Sequence, residues 1–395
     1  MTSLKLIFNF FKLLTIMEKG IEDMVTTLLS SAGITVNGPG MADIQVKNKD
    51  FYKRVLRDGI LGFGESYMDG WWEVKHLDEL CYKVISASLQ QKVKTMNNYI
   101  HYLEAILLNT GKKSKAFEVG EKHYDLGNLL FQKMLDKRMA YSCGYWKEAQ
   151  TLDDAQEAKF DLICRKLSIK PRMKVLDIGC GWGGFCKYAA EKYGAEVVGV
   201  TVSKEQVDYA TSICKDLNVT IKLMDYRDMN SENKRDKESL FDRVVSVGMF
   251  EHVGYKNYTT FMNTVNNLLK QDGLFLLHTI GSNTSVVTSD PWSNKYIFPN
   301  SHVPSIKQIG GAIEGIFVME DWHNFSAYYD KTLMAWFDNF YKNWNLIKSG
   351  YDERFYRMWK FYLLSSAGSF RARNVQLWQI VLSKKGIPGG YLSIR

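Results

Sequence analysis

The run Val175-Leu176-Asp177-Ile178-Gly179-Cys180-Gly181-Trp182-Gly183-Gly184 constrains the fold more than any other part of this chain. An apolar β-type segment enters a turn with four glycines in six residues, and a helical pattern follows. Glycines let the backbone come close to a ligand, and the helix start offers free N–H groups with partial positive charge. Such a strand-turn-helix belongs to an α/β sheet that binds a nucleotide-like ligand beyond its strand ends. Further apolar runs at 197–200, 219–223, 244–247 and 274–280 alternate with helical stretches, the rhythm of βαβ units and a mostly parallel sheet. Residues 299–367 read as largely helical and aromatic, interrupted by a strand expected at 316–320, and 375–382 returns as a strand.

Gly179, Gly181 and Gly184 satisfy GxGxxG, so a dinucleotide site has to be weighed. Two details favour S-adenosylmethionine over NAD. Asp177, two residues before the first glycine, can meet the ligand's ammonium or ribose. The second strand ends Gly199-Val200-Thr201-Val202-Ser203 instead of in a ribose-binding acid. Glu205 lies near the spacing of the NAD acid but falls inside the following helix.

A chain of 395 residues exceeds one ordinary core and suits two domains. Residues 17–108 carry helical periodicity, as in Met24, Val25, Leu28, Leu29 and Leu77, Leu80, Cys81, Val84, Ile85, with Gly-rich turns at 37–40 and 59–64. They form a small, mainly helical domain. Residues 109–120 read as a linker, because 109–115 have no apolar period, and 121–395 as the catalytic domain. Residues 1–16 are an N-terminal extension. Its apolar stretch 4–14, interrupted by Lys5 and Lys12, falls short of the roughly 20 residues that span a bilayer and lacks a small-residue cleavage site. Two readings stand: an interfacial helix laying Phe8, Phe10, Phe11, Leu13 and Leu14 on lipid, or a dispensable extension before a start at Met17. The second has the edge, since the pattern from Glu18 already begins a self-sufficient domain.

The excess of 51 Lys plus Arg over 43 Asp plus Glu suits an acidic membrane surface, a nucleic acid, or simply a solvated basic face. Nucleic acid is opposed by the absence of an Asn/Asp-Pro-Pro-aromatic motif for a flipped base. Cys81, Cys143, Cys164, Cys180, Cys186 and Cys214 show no CxxC pair and no zinc spacing, so they read as reduced thiols of a cytosolic protein with no metal.

Five further blocks carry a resemblance: Gly64-Glu65-Ser66-Tyr67-Met68-Asp69-Gly70-Trp71-Trp72; His123-Tyr124-Asp125-Leu126-Gly127-Asn128; Tyr141-Ser142-Cys143-Gly144-Tyr145-Trp146; Gly248-Met249-Phe250-Glu251-His252-Val253-Gly254; and Phe370-Arg371-Ala372-Arg373. With the glycine loop and 199–203, the sequence from about Glu18 to Ser383 closely resembles the cyclopropane fatty acid synthase family and its mycolic acid relatives. The resemblance implies a class I S-adenosylmethionine-dependent methyltransferase domain, Rossmann-like, with helical lid insertions and a lipid-engaging helical domain before it. It implies that Tyr141, Ser142, Asp177, Gly179, Gly181, Gly183, Thr201, Gln206, Asp225 and Tyr226 surround the cofactor. For Tyr226, core packing is a competing role. It also implies a bound bicarbonate ion acting as base, held by Cys143, Glu251, His278, the backbone at Ile280, and Tyr329. Ser366 stands where the family usually has a cysteine once considered catalytic, and the protein is expected to be active without it.

The implied chemistry adds a methylene carbon across the cis double bond of an unsaturated phospholipid acyl chain. An isolated alkene is a poor nucleophile, so the site must align it with a sulfonium methyl in a dry pocket. The resulting cation is either trapped by water or loses a proton as the ring closes, so water must be excluded and a base held nearby. His278 and Tyr329 can donate to an anion, while Glu251 can accept from it. Taken singly, Cys143 is more often a small buried hydrophobe and His278 more often a satisfied core histidine; Glu251, following a strand end, is harder to dismiss. The alternative is a methyltransferase that leaves an intact methyl on another lipid-like substrate. Trp71 and Trp72, with Tyr67 and Met68, suit a membrane interface or a channel mouth, while Trp71 and Trp72 equally suit the small domain's core, and Lys112, Lys113 and Lys115 suit anionic headgroups. A homodimer, cytoplasmic and peripheral to the inner face of the membrane, completes what the resemblance implies.

Overall fold

The computed structural model describes residues 19–89, 127–229 and 240–395. The expected linker 109–120, the extension 1–16, residues 123–126 of the second block, and Lys112, Lys113 and Lys115 lie outside the described residues.

Seven strands form the central sheet: β3 (Lys174–Ile178), β4 (Glu196–Thr201), β5 (Val219–Leu223), β6 (Phe241–Val247), β7 (Leu269–Ser282), β8 (Val318–Asn324) and β9 (Val375–Ser383). Their order is β5-β4-β3-β6-β7-β9-β8. The first five run parallel, and β9 is inserted antiparallel between β7 and β8. The order reverses at β3, so the chain leaves the glycine turn at the switch point where such sheets bind ligands. The strand expected at 316–320 begins later and runs longer, because 314–317 complete a turn against the preceding helix: Phe317 N–H donates to Ile313 O. Strand β9 is buried along nearly its whole length, and its continuous apolar run reflects cover on both faces.

Helices flank the sheet, among them Leu152–Lys166, Gly184–Tyr193 and Lys204–Ile213. Thr151 and Ser203 accept from the N–H groups of Asp154 and Gln206 and so cap the first and third. Two long helices, α11 (Ala327–Ile347) and α12 (Glu353–Arg371), cover the ligand side. The described part of the N-terminal region contains a helix over 19–30, the two-stranded pair β1 (Gln45–Val46) and β2 (Trp72–Glu73), a helix Asp50–Met68, and a helix Leu77–Ser86. Where a glycine turn is expected at 59–64, the helix instead continues through a kink at Gly59 (φ 58°). Glycine tolerates that dihedral without breaking the flanking turns.

The N-terminal region shares its core with the ligand-side helices. Phe63 and Tyr67 face Phe361 with ring centroids 6.2 and 5.7 Å away, and Trp292 packs on the same ring at 4.7 Å. Trp72 is fully buried, its indole N–H donating to Ser66 Oγ at 3.0 Å, and Tyr67 and Met68 are buried with it. The membrane-interface alternative for these three is therefore overturned in favour of core packing. Trp71 is half-buried beneath the Arg54 guanidinium.

Candidate active site

A cavity opens beyond the C-terminal ends of β3, β4, β5 and β6. Tyr141, Ser142, Asp177, Gly179, Gly181, Thr201, Gln206, Asp225 and Tyr226 all line it. Gly179 takes φ +85°, and a Cβ there would fall 2.6 Å from Met249, so the turn needs glycine twice over. Gly183 is not part of the wall. Its φ of +81° starts the helix, and its Cα packs against Ala210, where a Cβ would approach to 2.8 Å, so its role is to seat that helix.

Asp177 is buried at the tip of the central strand. Its Oδ2 accepts from the Cys186 thiol at 3.4 Å, its Oδ1 has no partner, and burial raises the carboxyl to about 7. A buried orphan oxygen is costly, and a ligand amine would satisfy it. Thr201 ends β4 and donates to Gln206 Oε1 at 2.7 Å, while Glu205 sits in the first turn of the next helix, as expected. Asp225 is gripped by Arg227 at 2.6 and 2.7 Å. Tyr226 both lines the cavity and packs edge-on to Phe261 at 5.1 Å. Tyr141 donates its hydroxyl proton to Tyr362 at 2.8 Å and so ties the wall to α12.

Of the second set, Glu251, His278 and Ile280 lie at the ends of β6 and β7, beside the wall residues Val247, Gly248 and His252. Glu251 lies in the short turn Phe250–His252 that follows β6. Its Oε1 accepts from Ile280 N–H at 2.6 Å, its Oε2 has no partner, and burial raises the carboxyl to about 7. The Ile280 amide is thus engaged by Glu251 rather than presented to a separate anion, because a buried carboxylate takes the nearest donor. His278 is fully buried in β7, and its carbonyl accepts from Gly248 N–H at 2.9 Å. Burial holds its pKa well below the ordinary value, so the ring is neutral. Gln379 Nε2 lies 3.3 Å from Nδ1; when it donates there, the proton sits on Nε2, which has no partner.

Cys143 is buried, with its thiol donating to Gly144 O at 3.2 Å and 3.9 Å from Thr332 Oγ1, one turn of α11 from Tyr329. Burial pushes that thiol far up, so it stays protonated. Tyr329 stacks on Phe370 at 4.4 Å. Arg371, in the last block quoted above, grips Asp330 at 3.0 Å and Asp78 at 2.8 Å, fixing the start of α11 against the N-terminal region. Ser366 lies one turn from Tyr362 and from Phe370 on α12, so helical spacing places it on the face that meets Tyr141 and Tyr329.

The family model for mycolic acid cyclopropane synthetase matches residues 111–380. A cyclopropane-fatty-acyl-phospholipid synthase of Escherichia coli strain K12 is 54% identical over 364 residues, covering 92% of this chain and 93% of that protein. This chain belongs to the cyclopropane synthase family. Among solved structures, the family member MmaA2 from Mycobacterium tuberculosis is 29% identical with a TM-score of 0.62, covering 68% of this chain and 98% of its own. The mycolic acid cyclopropane synthase CmaA1, complexed with SAH and CTAB, is 30% identical with a TM-score of 0.61 over the same shares. Coclaurine N-methyltransferase, 22% identical with a TM-score of 0.66 over 82% of this chain, shares the fold. The fold is that of the class I methyltransferases.

Lys159, Arg227 and Asn300, none of them singled out from sequence, line the cavity as well, together with Met249 and His252 of the block 248–254. Gln156, Lys159, Ile163 and Lys166 fall on one buried helical stripe, and fully buried lysines are rare unless they have a role. His252 has an unpartnered Nδ1, and burial lowers its pKa to about 4.

Proposed function

We propose that this enzyme forms a cyclopropane ring across the cis double bond of an unsaturated phospholipid acyl chain. When bound, S-adenosylmethionine supplies an electrophilic sulfonium methyl and bicarbonate supplies a proton acceptor. The observation that carries the reading is the pair of buried, half-satisfied groups beside the cofactor cavity, Glu251 with its free Oε2 and His278 with its free Nε2. Such atoms fit a small hydrogen-bonding anion: His278 and Tyr329 donate, and Glu251 accepts a hydroxyl proton and turns the remaining oxygen toward the reacting carbon. Cys143 closes the floor as a neutral thiol. Tyr141, Trp336 and Tyr329 stand ring against ring, at 5.1 and 6.0 Å, and exclude water while presenting π faces to developing positive charge. Asp177 takes the cofactor's ammonium, and Thr201, Gln206 and Asp225 complete the cradle. The likeness to the E. coli phospholipid synthase across 92% of the chain supports the phospholipid substrate over the mycolic acid substrates in the names of more distant relatives.

The same reading makes residues 17–108 the lipid-engaging region, with a basic surface docking on anionic headgroups from the cytoplasmic side and a homodimer adding avidity. No helix among the described residues is long and apolar enough to cross a membrane. The deciding experiment incubates the enzyme with vesicles of unsaturated phospholipid and methyl-labelled cofactor, with and without bicarbonate. Ring-containing acyl chains, formed faster with bicarbonate, are expected. Labelled chains that keep a double bond or carry a simple methyl branch would replace this reading with the methyltransferase alternative.

A further inference from the structure

Lys159 lies fully buried on the helix Leu152–Lys166 and lines the cofactor cavity. Its ammonium donates to Ser142 Oγ at 2.7 Å and rests 4.6 Å over the Phe160 ring. Gln156, one turn earlier, donates to the Ser142 carbonyl at 2.8 Å and to the Ala140 carbonyl at 3.3 Å, so the backbone that carries Ser142 is held from the same helix. The hydroxyl of a serine has one proton and two lone pairs. With a lone pair taken by Lys159, the Ser142 proton is directed away from the lysine, and Ser142 itself faces the cavity. The other cation in the described cavity wall, Arg227, is committed to Asp225. The wall also carries Asp177, an acceptor for positive charge.

We propose that Lys159 is a positioning residue which, through the Ser142 hydroxyl, builds the corner of the cavity that receives the α-carboxylate of the cofactor's amino-acid end. The cavity then has two unlike poles. Asp177 takes the ammonium and Lys159 with Ser142 takes the carboxylate, which orients the amino-acid arm and hence the sulfonium between them. The buried carboxyls of Asp136 and Asp177 offset part of the lysine's charge, and an arriving carboxylate adds to that, so the lysine also favours ligands that carry one. This inference rests on the reading of the cavity as an S-adenosylmethionine site.

The test measures calorimetric affinities of the full chain for S-adenosylhomocysteine and for the same sulfide lacking its α-carboxylate. Lys159→Met is expected to weaken the first by about 10- to 100-fold, the range of a lost charge-assisted hydrogen bond. The carboxylate-free sulfide should stay within about threefold of its wild-type affinity. Ser142→Ala, which leaves the helix packing intact, should show the same selectivity and decides the matter if Lys159→Met does not fold. Equal weakening of both ligands, or no weakening of either, would overturn the proposal. Wild-type enzyme that binds neither ligand would instead sink the cofactor reading beneath it.

Discussion

Replacing Glu251 by glutamine should make the ligand-free enzyme more stable above neutral pH while nearly abolishing turnover. The carboxyl is buried, and its pKa is raised from an ordinary 4.5 to about 7, chiefly by desolvation and against the pull of the Ile280 N–H. A carboxyl that holds its proton more tightly folded than unfolded makes the folded state richer in protons between those two values. Stability owed to this group is therefore complete below pH 4.5, declines as pH rises through the window, and reaches its full loss above about 7. At 1.36 kcal/mol per tenfold, the interval corresponds to ~3 kcal/mol. Glutamine keeps the Oε1 acceptor for Ile280 but has no charge to bury. Urea unfolding at pH 5, 6, 7 and 8 should accordingly show wild type and Glu251→Gln converging at the acid end. They should separate by ~3 kcal/mol at pH 8, or on the order of 5 °C in a thermal scan. Asp177 titrates with the same sign but is common to both proteins, so the difference between them isolates Glu251. Turnover should fall about 100-fold or more, the scale of a displaced general base. Parallel stability curves, or a glutamine variant with near wild-type rate, would refute the assignment of a buried, chargeable Glu251 at the reaction centre.

Gly179→Ala should lose cofactor affinity and stability together, by about 2 kcal/mol or more in unfolding experiments, since it adds strain at φ +85° and a collision with Met249. Ser366→Ala should keep turnover within about threefold of wild type in the labelled-cofactor assay, as the residue is only half-buried. A collapse in rate would assign it a chemical role. Trp72→Ala should destabilise the protein by about 3–5 kcal/mol in urea, as for other buried aromatics, while molecules that remain folded bind vesicles normally. Lost vesicle affinity without lost stability would return Trp72 to the membrane surface.

Much of the site is legible one residue at a time because a parallel sheet delivers ligand groups from strand ends, and strand ends are visible as apolar runs closing on glycine or a polar residue. Asp177, Thr201, Asp225 and Glu251 all follow such runs. Gly183 misleads because its dihedral serves the helix start rather than the ligand, and sequence does not distinguish the two uses of glycine. Lys159 escapes notice because its function depends on burial, and burial is a property of what packs over the helix. The predicted turn at 59–64 fails for a related reason: tertiary cover lets a helix run on through a glycine that local propensity would use to end it.

From residue order alone come the α/β class, the cofactor turn and the membership of each strand in the sheet, since these depend on local periodicity and on backbone freedom at particular glycines. Only the folded chain decides that Trp72 faces inward, that Ile280 is spoken for by Glu251, and that a buried lysine backs Ser142. Those facts concern which groups meet through tertiary packing, 17 residues apart for Lys159 and Ser142 and 29 for Glu251 and Ile280, and desolvation, which sets their charge, exists only once the partners have closed around them.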